Sequence, residues 1–316
     1  MYYKGDTRRG IKILTAIEEG IINLDKPEGM VCMEALNILK RRFKWRKIGH
    51  VGTLDPMASG VLPICVGRAT KIVRYLIEGE KEYAATIRLG ISTETHDREG
   101  RVRNMTKPMK IPTDSEIGQA LKEFEGVIEQ TPPLYSALKY RGKRLYQIAR
   151  KGLELPEIPC RKVYISKIIV HEYSYPFIKV TIVCGRGTYI RSIAADLGLR
   201  LGIGAHIHSL KRFRVGLFTI HNAISLDRLD GQIIDHKQEW FFTTDEALSF
   251  IPSIKIGWKE KEDMLHGRPF LSPTPIQRYY IHENKRLIKI YDPKGIFLGL
   301  AKGEDDLRLL PALVFK

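Results

Sequence analysis

Cysteine is scarce in this chain: four residues in 316, at Cys32, Cys65, Cys160 and Cys184, with no CxxC pair. That spacing excludes a zinc knuckle and a disulfide framework, and it fits a reducing compartment. Long apolar runs are missing as well. No stretch approaches the roughly 20 apolar residues that a membrane span needs. The first twenty residues mix Lys4, Arg8, Arg9, Lys12, Glu18 and Glu19 with no apolar core, unlike a secretion signal. Nine histidines are scattered without H-E-x-x-H or similar spacing, so no metal is expected. Neither G-x-x-x-x-G-K-[ST] nor a G-x-G-x-x-G after a strand occurs, which leaves a nucleotide cofactor unsupported. The chain reads as a cytoplasmic protein that needs no cofactor.

Acidic residues are the other shortage. Against 52 Lys plus Arg stand 36 Asp plus Glu, a net charge of +16. Such a field attracts polyanions, which makes nucleic acid the leading partner class. Two stretches concentrate the charge. Lys40-Arg41-Arg42-Phe43-Lys44-Trp45-Arg46-Lys47 sets six cations among two aromatics, and Tyr135 to Tyr146 interleaves Lys139, Arg141, Lys143 and Arg144 with three tyrosines. A charge run is ordinarily a solvated face. Aromatics among the cations fit an RNA backbone with unstacked bases better.

The hydrophobic fraction of 43% is enough for a sizeable core. Ile21–Asp25 reads as a buried strand stopped by Lys26-Pro27-Glu28-Gly29. Ala35, Leu36, Leu39 and Phe43 recur at helical spacing. Val61–Val66 is an apolar strand, Ala69–Ile77 a helix, and Tyr83, Ala85, Ile87 and Leu89 mark one face of a half-buried strand. Thr113 and Glu116 form a capping box. A short helix that Gly152 can cap follows the tyrosine-rich stretch. Strands at Val163–Val170 and Lys179–Cys184 lead to Gly185-Arg186-Gly187, and Thr188 can cap the next helix. Without βαβ alternation this predicts an α+β core on a largely antiparallel sheet. Beyond about residue 250 prolines punctuate short β-like segments. The expected organisation is an extension over 1–20, a main domain over 21–250, and a small β-rich domain over 252–316.

Three places carry chemistry. In His50-Val51-Gly52-Thr53-Leu54-Asp55-Pro56-Met57-Ala58-Ser59-Gly60, Pro56 disfavours the α conformation at Asp55, so a carboxylate is presented from a loop. A plain turn aspartate has the same local signature. Arg191, in Gly187-Thr188-Tyr189-Ile190-Arg191-Ser192, sits where a helix dipole disfavours a cation. A buried carboxylate partner would explain it, and Asp55 is the candidate. Tyr83, an inward strand aromatic, is either core or a surface for a displaced base.

Taken in order, these segments resemble the TruB family of tRNA pseudouridine synthases, of the stand-alone bacterial type. The matching pieces are Ile22–Gly29, Gly49–Gly67, Tyr83–Gly90, Thr131–Gly152, Gly187–Gly198 and Gly204–Arg212. The resemblance implies a pseudouridine-synthase fold with a central mixed sheet, an RNA-binding insert near 131–160 and a C-terminal PUA domain. It implies an isomerase acting on uridine-55 in the T loop of tRNA, with base flipping and no cofactor. Asp55 falls on the nucleophile and Arg191 on its partner. Tyr83 falls on the aromatic that stacks on the base, and His50 on the residue that holds the extruded loop. Tyr189 and Leu210 fall on base-pocket positions, Lys26 and Pro27 on the motif supporting the active-site loop. Cys32 stands where relatives often have Ser or Thr, a departure expected to leave the chemistry untouched. A non-catalytic RNA-binding or RNA-folding protein explains the charge equally well, but not the glycine-framed Asp55 and Arg191. A guide-RNA-dependent subunit would share Gly52–Pro56 but not the Arg88–Gly100 or Tyr135–Gly152 stretches.

Overall fold

A computed structural model describes residues 18–140, 142–150, 158–229, 238–273, 280–282, 285–304 and 307–315. Most of the lead-in and Gly152, with its capping role, lie outside the described residues.

The main sheet has eleven strands and is mixed. Its principal strands are β1 (Gly20–Lys26), β2 (Ile48–His50), β3 (Ser59–Val66), β4 (Lys81–Leu89), β5 (Gly126–Gln130), β6 (Arg161–Ser174), β7 (Phe177–Cys184), β8 (Ala205–Val215) and β9 (Ile224–Ser225). The order is β9-β1-β3-β8-β4-β7-β6-β5, with β2 pairing β3. Only β1–β9 and β3–β8 are parallel among these pairs. The strict alternation of β4, buried at every odd position from Lys81 to Leu89, follows from its apolar residues facing one side.

Helices cover that apolar face. α1 (Cys32–Phe43) buries Ala35, Leu36, Leu39 and Phe43, the residues its 3.6-residue spacing predicts. α2 (Asp114–Lys122) opens with the Thr113–Glu116 capping box, and α3 (Ile190–Arg200) is nearly enclosed. Two local expectations change. The segment expected as a helix over 69–77 is a 3₁₀ turn, Gly67–Ile72, followed by a single α turn, Val73–Leu76. Thr188 does not cap α3. Its hydroxyl turns back to the Gly185 carbonyl at 3.3 Å, and the cap residue is Tyr189, whose amide donates to Gln130 Oε1 at 2.8 Å. α3 therefore starts without a side-chain cap, and Gln130 from β5 holds the backbone of the residue before it.

A second, six-stranded sheet is built from strands between Ser253 and Val314. It does not stand apart, because Leu287, Leu300 and Phe315 join Ile21, Val51, Val61 and Cys65 in one apolar cluster.

Candidate active site

The loop between β2 and β3 carries Asp55, and three buried polar side chains hold it. Lys26 ends β1 fully buried, and its ammonium donates to the carbonyls of Pro27 (2.8 Å), Met30 (2.7 Å) and Pro56 (3.3 Å). Pro56 also accepts from the Gly29 amide at 2.8 Å, so the Lys-Pro turn and the Asp-Pro turn are laced together. Burial lowers the Lys26 pKa, although the nearby Cys32 and Asp55 oppose it. Cys32, opening α1, bonds Leu54 in both directions, Sγ to the carbonyl at 3.3 Å and the amide to Sγ at 3.2 Å. Cys32 thus clasps the residue before Asp55 without touching Asp55 itself. Arg212, on β8 and 1% exposed, donates to the carbonyls of Val61 (2.7 Å) and Gly52 (3.1 Å). β8 comes this close only because residue 60 is glycine. There φ is +104°, and a Cβ would lie 2.2 Å from the Arg212 carbonyl oxygen.

Arg191 reaches the loop from the first turn of α3. Its Nε and Nη2 donate to the two carboxylate oxygens of Asp55, each at 2.8 Å. Nη1 donates to the Thr95 carbonyl (2.8 Å), and Nη2 also reaches the Tyr135 carbonyl (3.0 Å). A second carboxylate, Asp97, lies 3.6 Å from Nη1. The guanidinium side chain is 3% exposed and the Asp55 side chain 31%. The cation is thus buried, with four hydrogen bonds and a second carboxylate beside it, while the carboxylate keeps an open side. A forked pair of this kind fixes direction as well as charge, and it accounts for a cation at a helix start.

Around this pair, Tyr83 pairs across β4–β8 with Arg212, and Ala85 with Leu210, so Tyr83, Leu210 and Arg212 share one buried face. Burial raises the Tyr83 pKa, with the Arg212 guanidinium opposing. His50 ends β2, and burial, helped by the Arg212 guanidinium, lowers its pKa against a backbone hydrogen bond at Gly52. Tyr189 is the residue before α3, with its backbone held by Gln130. The elements bearing Lys26, His50, Tyr83, Leu210 and Arg191 thus converge on the Asp55 loop, whereas Pro27 contributes only its carbonyl. Sequence reasoning missed Arg212, Asp97 and Gln130. Arg212 closes the quoted Gly204–Arg212 motif, and Asp97 lies inside Arg88–Gly100, so both were within segments already singled out. The aromatics of the first basic stretch are also corrected. Phe43 and Trp45 are buried and stacked on each other, centroids 4.6 Å apart, and offer no face to a base.

Comparisons with known proteins bear on the class. Residues 40–190 match the TruB family pseudouridylate synthase N-terminal domain, and residues 191–248 the tRNA pseudouridylate synthase B C-terminal domain. The tRNA pseudouridine synthase B of Clostridium kluyveri is 42% identical over 295 residues, 91% of this chain and 96% of that protein. That of Clostridium acetobutylicum is 37% identical over 93% of this chain and 99% of its own length. Among solved structures, a chain of a Cbf5-Nop10-Gar1 complex superposes with a TM-score of 0.69 at 28% identity, covering 95% of this chain and 84% of that one. The family match and the fold make this chain a pseudouridine-synthase type of enzyme, an isomerase. The chain belongs to the TruB family of pseudouridylate synthases.

Proposed function

We propose that this chain is a tRNA pseudouridine synthase that acts alone on uridine-55 of the T loop, with Asp55 as nucleophile. The observation that carries the reading is the forked Arg191–Asp55 pair, which aims a half-exposed carboxylate from a loop tied down on three sides. The target base leaves its stack so that a side chain can reach it. Asp55 then forms a covalent adduct, the N-glycosidic bond breaks, the base turns, and a carbon–carbon bond replaces it. The bond to Asp55 breaks to return the free carboxylate, and C5 loses a proton while N1 gains one. Atoms and electrons are conserved overall, so the isomerisation calls for no redox partner or group donor.

In this reading Arg191 holds Asp55 in line and Lys26 with Pro27 supports the loop. Tyr83 is a flat surface under the flipped base and the candidate for handling the C5 proton. Tyr189 and Leu210 complete the base pocket, and His50 braces the extruded loop. The stretch near 131–160 and a PUA-like unit over 252–316 serve as further RNA contacts, beside a catalytic domain over 21–250 and an extension over 1–20. A cytoplasmic location follows from a tRNA substrate, and no helix among the described residues is long and apolar enough to cross a membrane.

The likeness to Cbf5, solved in complexes with partner proteins, gives a guide-dependent subunit its one supporting observation. The higher identity to tRNA pseudouridine synthase B proteins favours the stand-alone reading. The test is to incubate the purified chain alone with an unmodified tRNA transcript and map pseudouridines chemically. One new pseudouridine in the T loop supports the proposal. Tight RNA binding without product would favour a guide-dependent or purely binding role.

A further inference from the structure

We propose that Lys40, Arg41, Lys44, Arg46 and Lys47 form a phosphate-binding ladder for the double-stranded stem that carries the target loop, an inference that rests on the RNA reading above. All five residues are exposed. None has a carboxylate partner among the described residues, whereas several surface cations elsewhere are neutralised. Arg68 pairs with Glu19, Arg98 with Glu28, Lys179 with Glu172, Arg186 with Glu78 and Arg200 with Glu123. Helix polarity accounts for Lys40 and Arg41 in the last turn of α1. It does not account for Lys44, Arg46 and Lys47, which lie on or beyond the helix end.

The backbone fixes where these side chains leave the chain. Lys44 adopts φ 54° and ψ 26°, a left-handed cap where glycine or asparagine costs least. Phe43 and Trp45 point inward and stack, so Lys44 is presented outward between the two and Arg46 directly after the second. The Lys47 carbonyl accepts from the Gly67 amide at 2.9 Å, which pins the run against the end of β3. β2 begins at the next residue and delivers His50 to the Asp55 loop about 10 Å further along an extended chain. Cations so placed meet the backbone flanking a loop inserted at Asp55. With both aromatics buried, the segment offers charge without base stacking, which is how duplex RNA is held through its phosphates.

The test compares the wild-type chain with a Lys44→Gln/Arg46→Gln/Lys47→Gln variant in binding to a T-arm stem-loop RNA and to full-length tRNA transcript across a salt series. Circular dichroism and thermal melting check the fold, and a Lys44→Arg/Lys47→Arg variant preserves the charge. The expected result is a salt slope shallower by about 2 in log K per log salt for the triple variant. Its affinity falls about 10- to 100-fold near 100 mM salt, equally for both RNAs, and the arginine variant binds as wild type. Single-turnover conversion at saturating enzyme stays within about twofold. An unchanged salt slope, or a loss seen with full-length tRNA but not with the stem-loop, overturns the proposal. Binding is read independently of product, so a wild-type chain that binds this way yet makes no pseudouridine would fail the functional reading instead.

Discussion

Replacing Arg191 by Lys keeps one positive charge opposite Asp55 and removes the fork. The guanidinium makes four hydrogen bonds, two of 2.8 Å to Asp55 and one each to the carbonyls of Thr95 and Tyr135. An ammonium on a flexible stem retains one contact with the carboxylate, so three bonds are lost. Hydrogen bonds to charged groups net about 1.5–3 kcal/mol each. Water recovers part of this at Asp55, whose side chain is 31% exposed. The two bonds to the Thr95 and Tyr135 carbonyls stay lost, so the expected loss of stability is about 3–6 kcal/mol, overlapping the roughly 3–5 kcal/mol for breaking a fully buried pair. At the reacting centre, freeing one carboxylate oxygen from its aim is expected to raise the barrier by about 3–4 kcal/mol, or roughly 10²- to 10³-fold in kcat. KM should change little, because the guanidinium faces the protein. The assay is single-turnover pseudouridine formation at saturating enzyme, well below the variant's melting temperature. A rate within threefold of wild type would refute the claim that the fork aims the nucleophile.

The other predictions concern the surroundings of that pair. Cys32→Ser keeps both bonds to Leu54 and should leave turnover near wild type, while Cys32→Ala strands a buried amide and carbonyl at a cost of about 1–3 kcal/mol. Equal kcat in the alanine variant would show that this clasp does not set Asp55. Tyr83→Phe should retain RNA affinity and slow turnover at least tenfold in a steady-state assay; unchanged turnover removes the hydroxyl from the chemistry. Burial lowers the pKa of His50, His96 and His206. Because an unfolded histidine titrates near about 6.5, stability should be complete above that pH and decline as pH falls through the lower folded values. Melting temperatures from pH 8 to 5 check this. His206→Gln, which removes a titrating group hydrogen-bonded to the Ile91 carbonyl at 2.9 Å, should flatten the decline; an unaltered slope contradicts it.

What was legible in the sequence was what local pattern dictates. The β4 alternation follows from a one-sided apolar strand, the α1 spacing from one buried stripe, and the Thr113–Glu116 cap from two side chains three apart. Arg191 announced itself through a conflict, since a cation at a helix start needs a partner that the helix itself does not supply. Arg212 gave no such signal. Beside Lys211 it resembles an ordinary polar strand end, and its burial depends on parallel pairing with Gly60, some 150 residues earlier in the chain. Asp97 and Gln130 act through loops and edges whose partners only the fold brings near. Phe43 and Trp45 misled because composition reports which residues alternate, not which way they face.

The central claim is tested most directly by Asp55→Asn beside wild type, each incubated alone with unmodified tRNA and mapped for pseudouridine. Asparagine preserves shape and removes the charge. Wild type is expected to give one T-loop pseudouridine and the variant none, with its tRNA affinity retained. Equal product from both proteins would contradict it.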